Sequence, residues 1–275
     1  VARRFEKFSA EAAFQLMQDY GIRNAFIPPT ALKMMRGVKD VPLRWQLQMR
    51  SLASGGEALG TELLDWGRAT FGLTINEFYG QTECNMTVSS CAALEAAVPG
   101  TMGRAVPGHT LAIVDDDGRV LPDGEHGNIA VLRPDPVMFL GYWQNPGATA
   151  AKFAGDWMLT GDVGFRDAAG RFSFVGRNDD VITSSGYRIG PGEIEDCLLG
   201  HPSIRLAAVI GKPDAQRTEI VKAYVVLRDG IEGTSALAQE IQRWVKERLA
   251  AHEYPREVTF LDELPMTTTG KIIRR

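Results

Sequence analysis

The chain changes texture twice along its length, and the order of the three textures restricts the folds open to it. The first stretch alternates helix and strand signals. Ser9 is placed to cap a helix, and Ala13, Leu16, Met17 and Tyr20 follow helical spacing until Gly21. "NAFIPP" (24–29) reads as a short buried strand stopped by Pro28 and Pro29. Leu59, Leu63 and Trp66 put an apolar stripe on a second helix closed by Gly72, and "LTINEFYG" (73–80) reads as a strand ending in glycine. Strand–helix–strand alternation is the pattern of an open α/β sheet, whose ligands bind at the carboxyl ends of the strands.

From about Gly100 to Gly176 short apolar segments, "TLAIVD" (110–115), "NIAVLR" (128–133) and "RFSFVG" (171–176), are separated by turn signals such as "DDDG" and "LPDG". This is the texture of an all-β stretch. Beyond "GRNDD" (176–180) it changes again. "RLAAVI" (205–210), "VKAYVVL" (221–227) and "EVTFL" (257–261) read as strands, and Leu237, Ile241, Trp244, Val245 and Leu249 give a long amphipathic helix. The expected fold class is α/β plus α+β. Residues 1–97 are α/β, 98–177 are β-rich and 178–275 form a small α+β domain, with the boundary near Arg177–Asp180.

Composition excludes several classes of function. Of the 275 residues 44% are apolar and 23% charged, as in a globular protein with a buried core. A net charge of −4 gives no bulk attraction for nucleic acid or anionic lipid. No apolar run approaches the roughly 20 residues of a membrane span. Cys84, Cys91 and Cys197 are odd in number and lack metal-like spacing, so they read as reduced thiols of a cytoplasmic protein. The chain begins at Val1 with a helix pattern almost at once, and a fragment is expected.

The chemistry concentrates in glycine-marked stretches. "LASGGEAL" (52–59) follows a strand and opens a helix, so its paired glycines suit close approach of a flat ligand, or simply a tight turn and cap. "EFYGQTEC" (77–84) sets Tyr79, Thr82 and Glu83 just past a strand end. There a ring can stack on a base, a hydroxyl can bond phosphate and a carboxylate can hold Mg2+; a core tyrosine and a solvated glutamate are the plainer alternatives. "WMLTGDVG" (157–164) ends an apolar strand with Asp162, a carboxylate fit for ribose hydroxyls or a turn aspartate. "VGRNDDVITSSGYRIGPGEIE" (175–195) carries Arg177, Asp179, Asp180, Gly186, Arg188 and Gly190 before a helix with Pro191 near its start. It suits phosphate or ribose contacts and equally a polar linker. The terminal "TTTGK" is not a P-loop, since Pro265 and Ile272 stand where glycine and Ser/Thr are needed.

Taken in order, "SGGEAL", "FYGQTE", "LTGD", "GRNDDVITSSGYRIGPGEIE" and "PMTTTGKIIRR" resemble the acyl-CoA synthetases of the adenylate-forming superfamily, in the wording of acetyl- and medium-chain members. The resemblance spans essentially the whole chain. It implies the C-terminal portion of a large adenylate-forming domain in 1–177 and a small lid domain in 178–275. It also implies ATP and AMP as nucleotides, Mg2+, coenzyme A as co-substrate and a small carboxylic acid as substrate. A homo-oligomer is compatible with it. By similarity Gly55, Gly56 and Glu57 line the adenine edge and Tyr79 stacks on the ring. Thr82 touches the α-phosphate and Glu83 holds Mg2+. Asp162 and Arg177 bind the ribose hydroxyls, and Arg188 lies near phosphate. Asp179 is the hinge, Gly186 lets the pantetheine arm pass, and Lys271 bridges carboxylate and α-phosphate. A lid with two orientations would bring that lysine in for the first half-reaction and withdraw it for the second.

Two departures stand out. Met266 occupies a position where relatives commonly have lysine, and no Ser/Thr/Gly-rich phosphate loop lies between Val1 and Ser54. The chain is therefore expected to be inactive alone. Gly80 takes a position where acetate-specific relatives carry tryptophan, which implies space for an acyl group larger than acetyl. A ligase loading a carrier-protein phosphopantetheine and a non-catalytic nucleotide-binding homologue are the rival expectations.

Overall fold

Helix α1 (Ala10–Asp19) begins where the Ser9 hydroxyl accepts a hydrogen bond from the Ala12 amide, and Gly21 follows with φ +55°. In this computed structural model, which describes residues 8–266 and 273, β1 (Asn24–Phe26) follows. Then come α2 (Pro29–Arg36), α3 (Val41–Arg44), β2 (Ser51–Gly55), α4 (Thr61–Phe71), β3 (Asn76–Gln81), β4 (Asn85–Ser89) and β5 (Arg104–Ala105). These strands form one sheet in the order β1-β2-β3-β4-β5, parallel from β1 to β3 and antiparallel thereafter. Phe14, Leu32, Met35, Leu52 and Ile75 are wholly buried beside it. Each such side chain contributes roughly 1.5–3 kcal/mol by leaving water.

Three expectations are corrected here. β1 is not buried: its pattern is exposed–intermediate–exposed, and Phe26 is 53% exposed. Pro29 starts α2 rather than stopping the chain, because proline's fixed φ and missing N–H suit the first helical position. The "LASGGEAL" stretch does not open a helix directly. β2 ends at Gly55, a loop follows, and α4 starts only after Gly60, whose φ is +73°.

The second sheet is built from β6 (Leu111–Val114), β7 (Gly127–Leu132), β8 (Phe153–Ala154), β9 (Trp157–Arg166) and β10 (Phe172–Arg177), in the order β10-β9-β7-β6 with β8 on β9. One short helix, α5 (Pro146–Ala151), interrupts this β-rich stretch, capped by the Asn145 side chain. β9 does not end at Asp162 but runs four residues further.

The third sheet follows β11 (Ile182–Ser184), β12 (Tyr187–Ile189), β13 (Ile204–Asp214), β14 (Thr218–Leu227) and β15 (Glu257–Phe260), in the order β12-β11-β14-β13 with β15 parallel to β14. Helices α6 (Pro191–Leu199) and α7 (Ser235–Lys246) bury Ile194, Leu198, Ile241 and Val245 in one core with Val209 and Val225. The Trp244 indole N–H donates to the Cys197 carbonyl at 3.0 Å, tying α7 to α6.

The chain divides into two units, Val1–Thr160 with Phe165–Phe174, and Gly161–Gly164 with Val175–Arg275. No helix among the described residues is long and apolar enough to cross a membrane.

Candidate active site

In the first unit the motif residues gather at the carboxyl ends of β2 and β3, which are joined in register through Gly55 and Phe78. A Cβ on Gly55 would lie 2.5 Å from the Phe78 carbonyl oxygen, so glycine is what allows the two strands to approach. Gly56 is exposed, with φ +93°. The Thr30 hydroxyl lies 2.9 Å from both Glu57 carboxylate oxygens, which fixes Glu57 against α2. Glu77 accepts from the Leu59 amide at 3.3 Å. Ser54 is fully buried and its hydroxyl has no hydrogen-bond partner among the described residues.

Tyr79 lies within β3, 9% exposed, and shares a core cluster with Cys84, Val88, Met102 and Ile129. Most of its ring is thus committed to the core. Gln81, Thr82, Glu83 and Cys84 form a tight turn closed by the Cys84 amide on the Gln81 carbonyl at 3.1 Å. Thr82 is exposed and Glu83 partly buried. The Tyr142 hydroxyl donates to Glu83 Oε1 at 2.7 Å, and that carboxylate raises the Tyr142 phenol above its ordinary pKa. The Phe139 amide donates to the Glu83 carbonyl, also at 2.7 Å. Burial pushes the Cys84 thiol up.

The room expected at Gly80 is not found along its Cβ direction. The β3–β4 pairing shifts register between Tyr79 and Gly80, and a Cβ there would fall 1.5 Å from the Asn85 carbonyl oxygen.

In the second unit Asp162, 8% exposed, meets Arg177, whose Nε lies 3.3 Å from Asp162 Oδ1. The Asn178 amide donates to the Gly161 carbonyl at 2.9 Å. Arg177 is 60% exposed, so the pair adds under about 1 kcal/mol to stability and leaves most of the guanidinium open. Asp179 sits in the exposed turn after β10, which is closed by the Asp180 and Val181 amides on the Arg177 carbonyl. Ser185 and Gly186, with φ +51° and +85°, form the two-residue turn of the β11–β12 hairpin. Such a turn needs positive φ at both positions. Glycine at 186 is thus explained by the backbone, and nothing lies within 4 Å of where its Cβ would be. Arg188 donates to Asn178 Oδ1 at 3.0 Å.

Several functional candidates carry no sequence signal. Tyr142 is 59 residues from Glu83. A cavity of about 190 Å3 beside the Gly186 hairpin is lined by Ser184, Tyr187, Arg217, His252 and Arg256. The Tyr187 and His252 rings stack at 4.0 Å, and Arg217 donates to the Ser185 hydroxyl at 3.1 Å. Lys271 lies outside the described residues.

The donor set suits the small molecules in question. Mg2+ usually takes one or two carboxylates and completes its shell with phosphate oxygens and water. Among the described residues no three His, Cys, Asp or Glu side chains converge on a metal position, and a single oriented carboxylate such as Glu83 fits that habit.

A sheet that is parallel from β1 to β3 with glycine-marked strand ends, and a small α+β unit later in the chain, match the fold of the adenylate-forming class of enzymes. The family profile described as AMP-binding enzyme matches residues 1–143, just over half of the chain, and that of the AMP-binding enzyme C-terminal domain matches 193–271. The chain belongs to the AMP-binding enzyme family. It is 40% identical over 272 residues to acetyl-coenzyme A synthetase of Bacillus subtilis (strain 168), covering 98% of this chain and 48% of that one. Among solved structures it is similar to a benzoate CoA ligase from Burkholderia xenovorans LB400, at 34% identity and a TM-score of 0.84, covering 98% of this chain and 53% of that one. ATP-bound MatB from Rhodopseudomonas palustris matches at 30% identity and a TM-score of 0.84, covering 98% and 52%. The chain thus spans about half the length of the relatives it matches.

Proposed function

We propose that this chain is part of an ATP-dependent carboxylate–CoA ligase that works through an acyl-adenylate. The observation that carries this is the Asp162–Arg177 pair. A largely buried carboxylate and an open guanidinium, from different strands, meet at 3.3 Å, which supports the joint ribose-binding role that the resemblance gives them. In the reaction a carboxylate oxygen attacks the α-phosphorus of ATP while the bond to pyrophosphate breaks. The CoA sulfur, its thiol proton released to water, then attacks the acyl carbon and AMP leaves. Two anions must meet in the first step, so the protein's part is alignment and positive charge.

The roles proposed for the residues are those that the family resemblance implies. Gly55, Gly56 and Glu57 border the adenine, with the edge of Tyr79 beside it, and Thr82 donates to the α-phosphate. Glu83 holds Mg2+, which when bound neutralises charge on the phosphate oxygens. Asp179 serves as hinge and Lys271 bridges carboxylate and α-phosphate. For coenzyme A, the open space beside Gly186 suits the pantetheine arm. The two arginines of the neighbouring cavity, with Arg188, supply charge for its phosphates.

The acyl group is proposed to be larger than acetyl, as in the benzoate ligase, although the Bacillus relative is an acetyl-coenzyme A synthetase. The three free thiols support a cytoplasmic setting, which cell fractionation would check. A carrier-protein phosphopantetheine is the alternative acceptor, and product analysis with CoA against holo-carrier separates the two.

The decisive experiment is Lys271→Ala in the full-length parent. Acyl-adenylate formation should be lost, while thioester formation from supplied acyl-adenylate should persist. Equal loss of both half-reactions would count against the assignment.

A further inference from the structure

We propose that Tyr142 is a positioning residue for Glu83, and that the segment 139–152 is a brace fixing the turn from Gln81 to Cys84. This rests on the proposal above that Glu83 holds Mg2+. One stretch of chain grips the turn at three points. The Tyr142 hydroxyl holds Glu83 Oε1 at 2.7 Å, and the Phe139 amide holds the Glu83 carbonyl at the same distance. Both the side chain and the backbone of Glu83 are therefore tied to this one segment. The third grip is Lys152, whose Nζ lies 3.4 Å from Gln81 Oε1, 3.2 Å from the Leu159 carbonyl and 3.1 Å from the Thr160 carbonyl. The Gln81 side-chain amide donates to that same Thr160 carbonyl at 2.9 Å.

The brace is itself anchored. The Tyr142 amide donates to the Thr149 hydroxyl at 2.9 Å, and that hydroxyl donates to the Asn145 carbonyl at 3.0 Å. A hydrogen bond to a carboxylate limits its rotation about the side-chain torsions. The carboxylate's value to a metal that demands near-ideal octahedral geometry depends on fixed orientation. Partners one step behind a ligand commonly govern metal affinity by about 10- to 100-fold.

The experiment uses the full-length parent with Tyr142→Phe and Glu83→Gln. Tyr142→Phe removes one hydroxyl and keeps the ring, so the fold should persist with an unchanged melting temperature. Hydrogen exchange across residues 81–86, measured without metal or nucleotide, should quicken in Tyr142→Phe. The Mg2+ concentration for half-maximal ATP–pyrophosphate exchange should rise about tenfold. The double variant should need no more Mg2+ than Glu83→Gln alone. Unchanged hydrogen exchange overturns the brace. An unmoved Mg2+ requirement in Tyr142→Phe, with Glu83→Gln shifted, overturns the positioning role and leaves Glu83 as the metal residue. An unmoved requirement in Glu83→Gln removes the metal assignment and this proposal with it.

Discussion

At position 80 two lines of evidence pull apart. The absent side chain implies room for a larger acyl group, yet its Cβ direction runs into the Asn85 backbone at 1.5 Å. A tryptophan there cannot simply refill a pocket; the bulged β3–β4 pairing would have to re-register first. We expect the parent to turn over hexanoate or benzoate with a kcat/KM about tenfold or more above that for acetate. Gly80→Trp should lower the melting temperature, at a cost of roughly 1–3 kcal/mol or more, without conferring a preference for acetate. Acetate turned over fastest by the parent would remove the size proposal, and a stable, acetate-preferring Gly80→Trp would show that the pairing yields. The residues Gly55, Glu83 and Asp162 could be picked from sequence because each stands in a short motif. Their partners Phe78, Tyr142 and Arg177 differ in legibility for a physical reason. Arg177 stands in a motif of its own, whereas Tyr142 reaches Glu83 only because a distant loop folds back.

At the scale of elements, ends set by local chemistry were readable and ends set by neighbours were not. Ser9 and Gly72 bound α1 and α4 as expected, and Pro191 begins α6. Strand β9 overruns Asp162 because pairing in the sheet, not the glycine at 161, decides where it stops. Helix α2 was hidden because two prolines announce either an end or a beginning. The start of α6 offers a paired test of this logic. A Cβ on Gly190 would lie 2.1 Å from the Val175 carbonyl oxygen, whereas one on Gly192 meets nothing within 4 Å. Gly192→Ala should therefore stabilise the chain by about 0.5–1 kcal/mol, as alanine does within a helix. Gly190→Ala should destabilise it by roughly 1–3 kcal/mol. Denaturant titration of both variants checks the sign of each; a neutral Gly190→Ala would mean that the strand gives way.

At the scale of the whole molecule, the order of motifs carried more than any one of them, since fixed order over the full length is what chance does not supply. The chain spans about half of its relatives, and no Ser/Thr/Gly-rich loop precedes Ser54. We expect the purified 275-residue chain to show no ATP–pyrophosphate exchange, because residues 1–54 hold no such stretch to aim backbone amides at the β- and γ-phosphates. Measurable exchange would refute this. The division of the chain adds a constraint on how it can be taken apart. Residues 161–164 belong with the second unit although the chain returns to the first for 165–174, so the polypeptide changes allegiance three times. No single cut can therefore separate the units. A clone starting at Val175 would keep Arg177 and leave Asp162 behind, and a protease nicking there would divide the pair between two products.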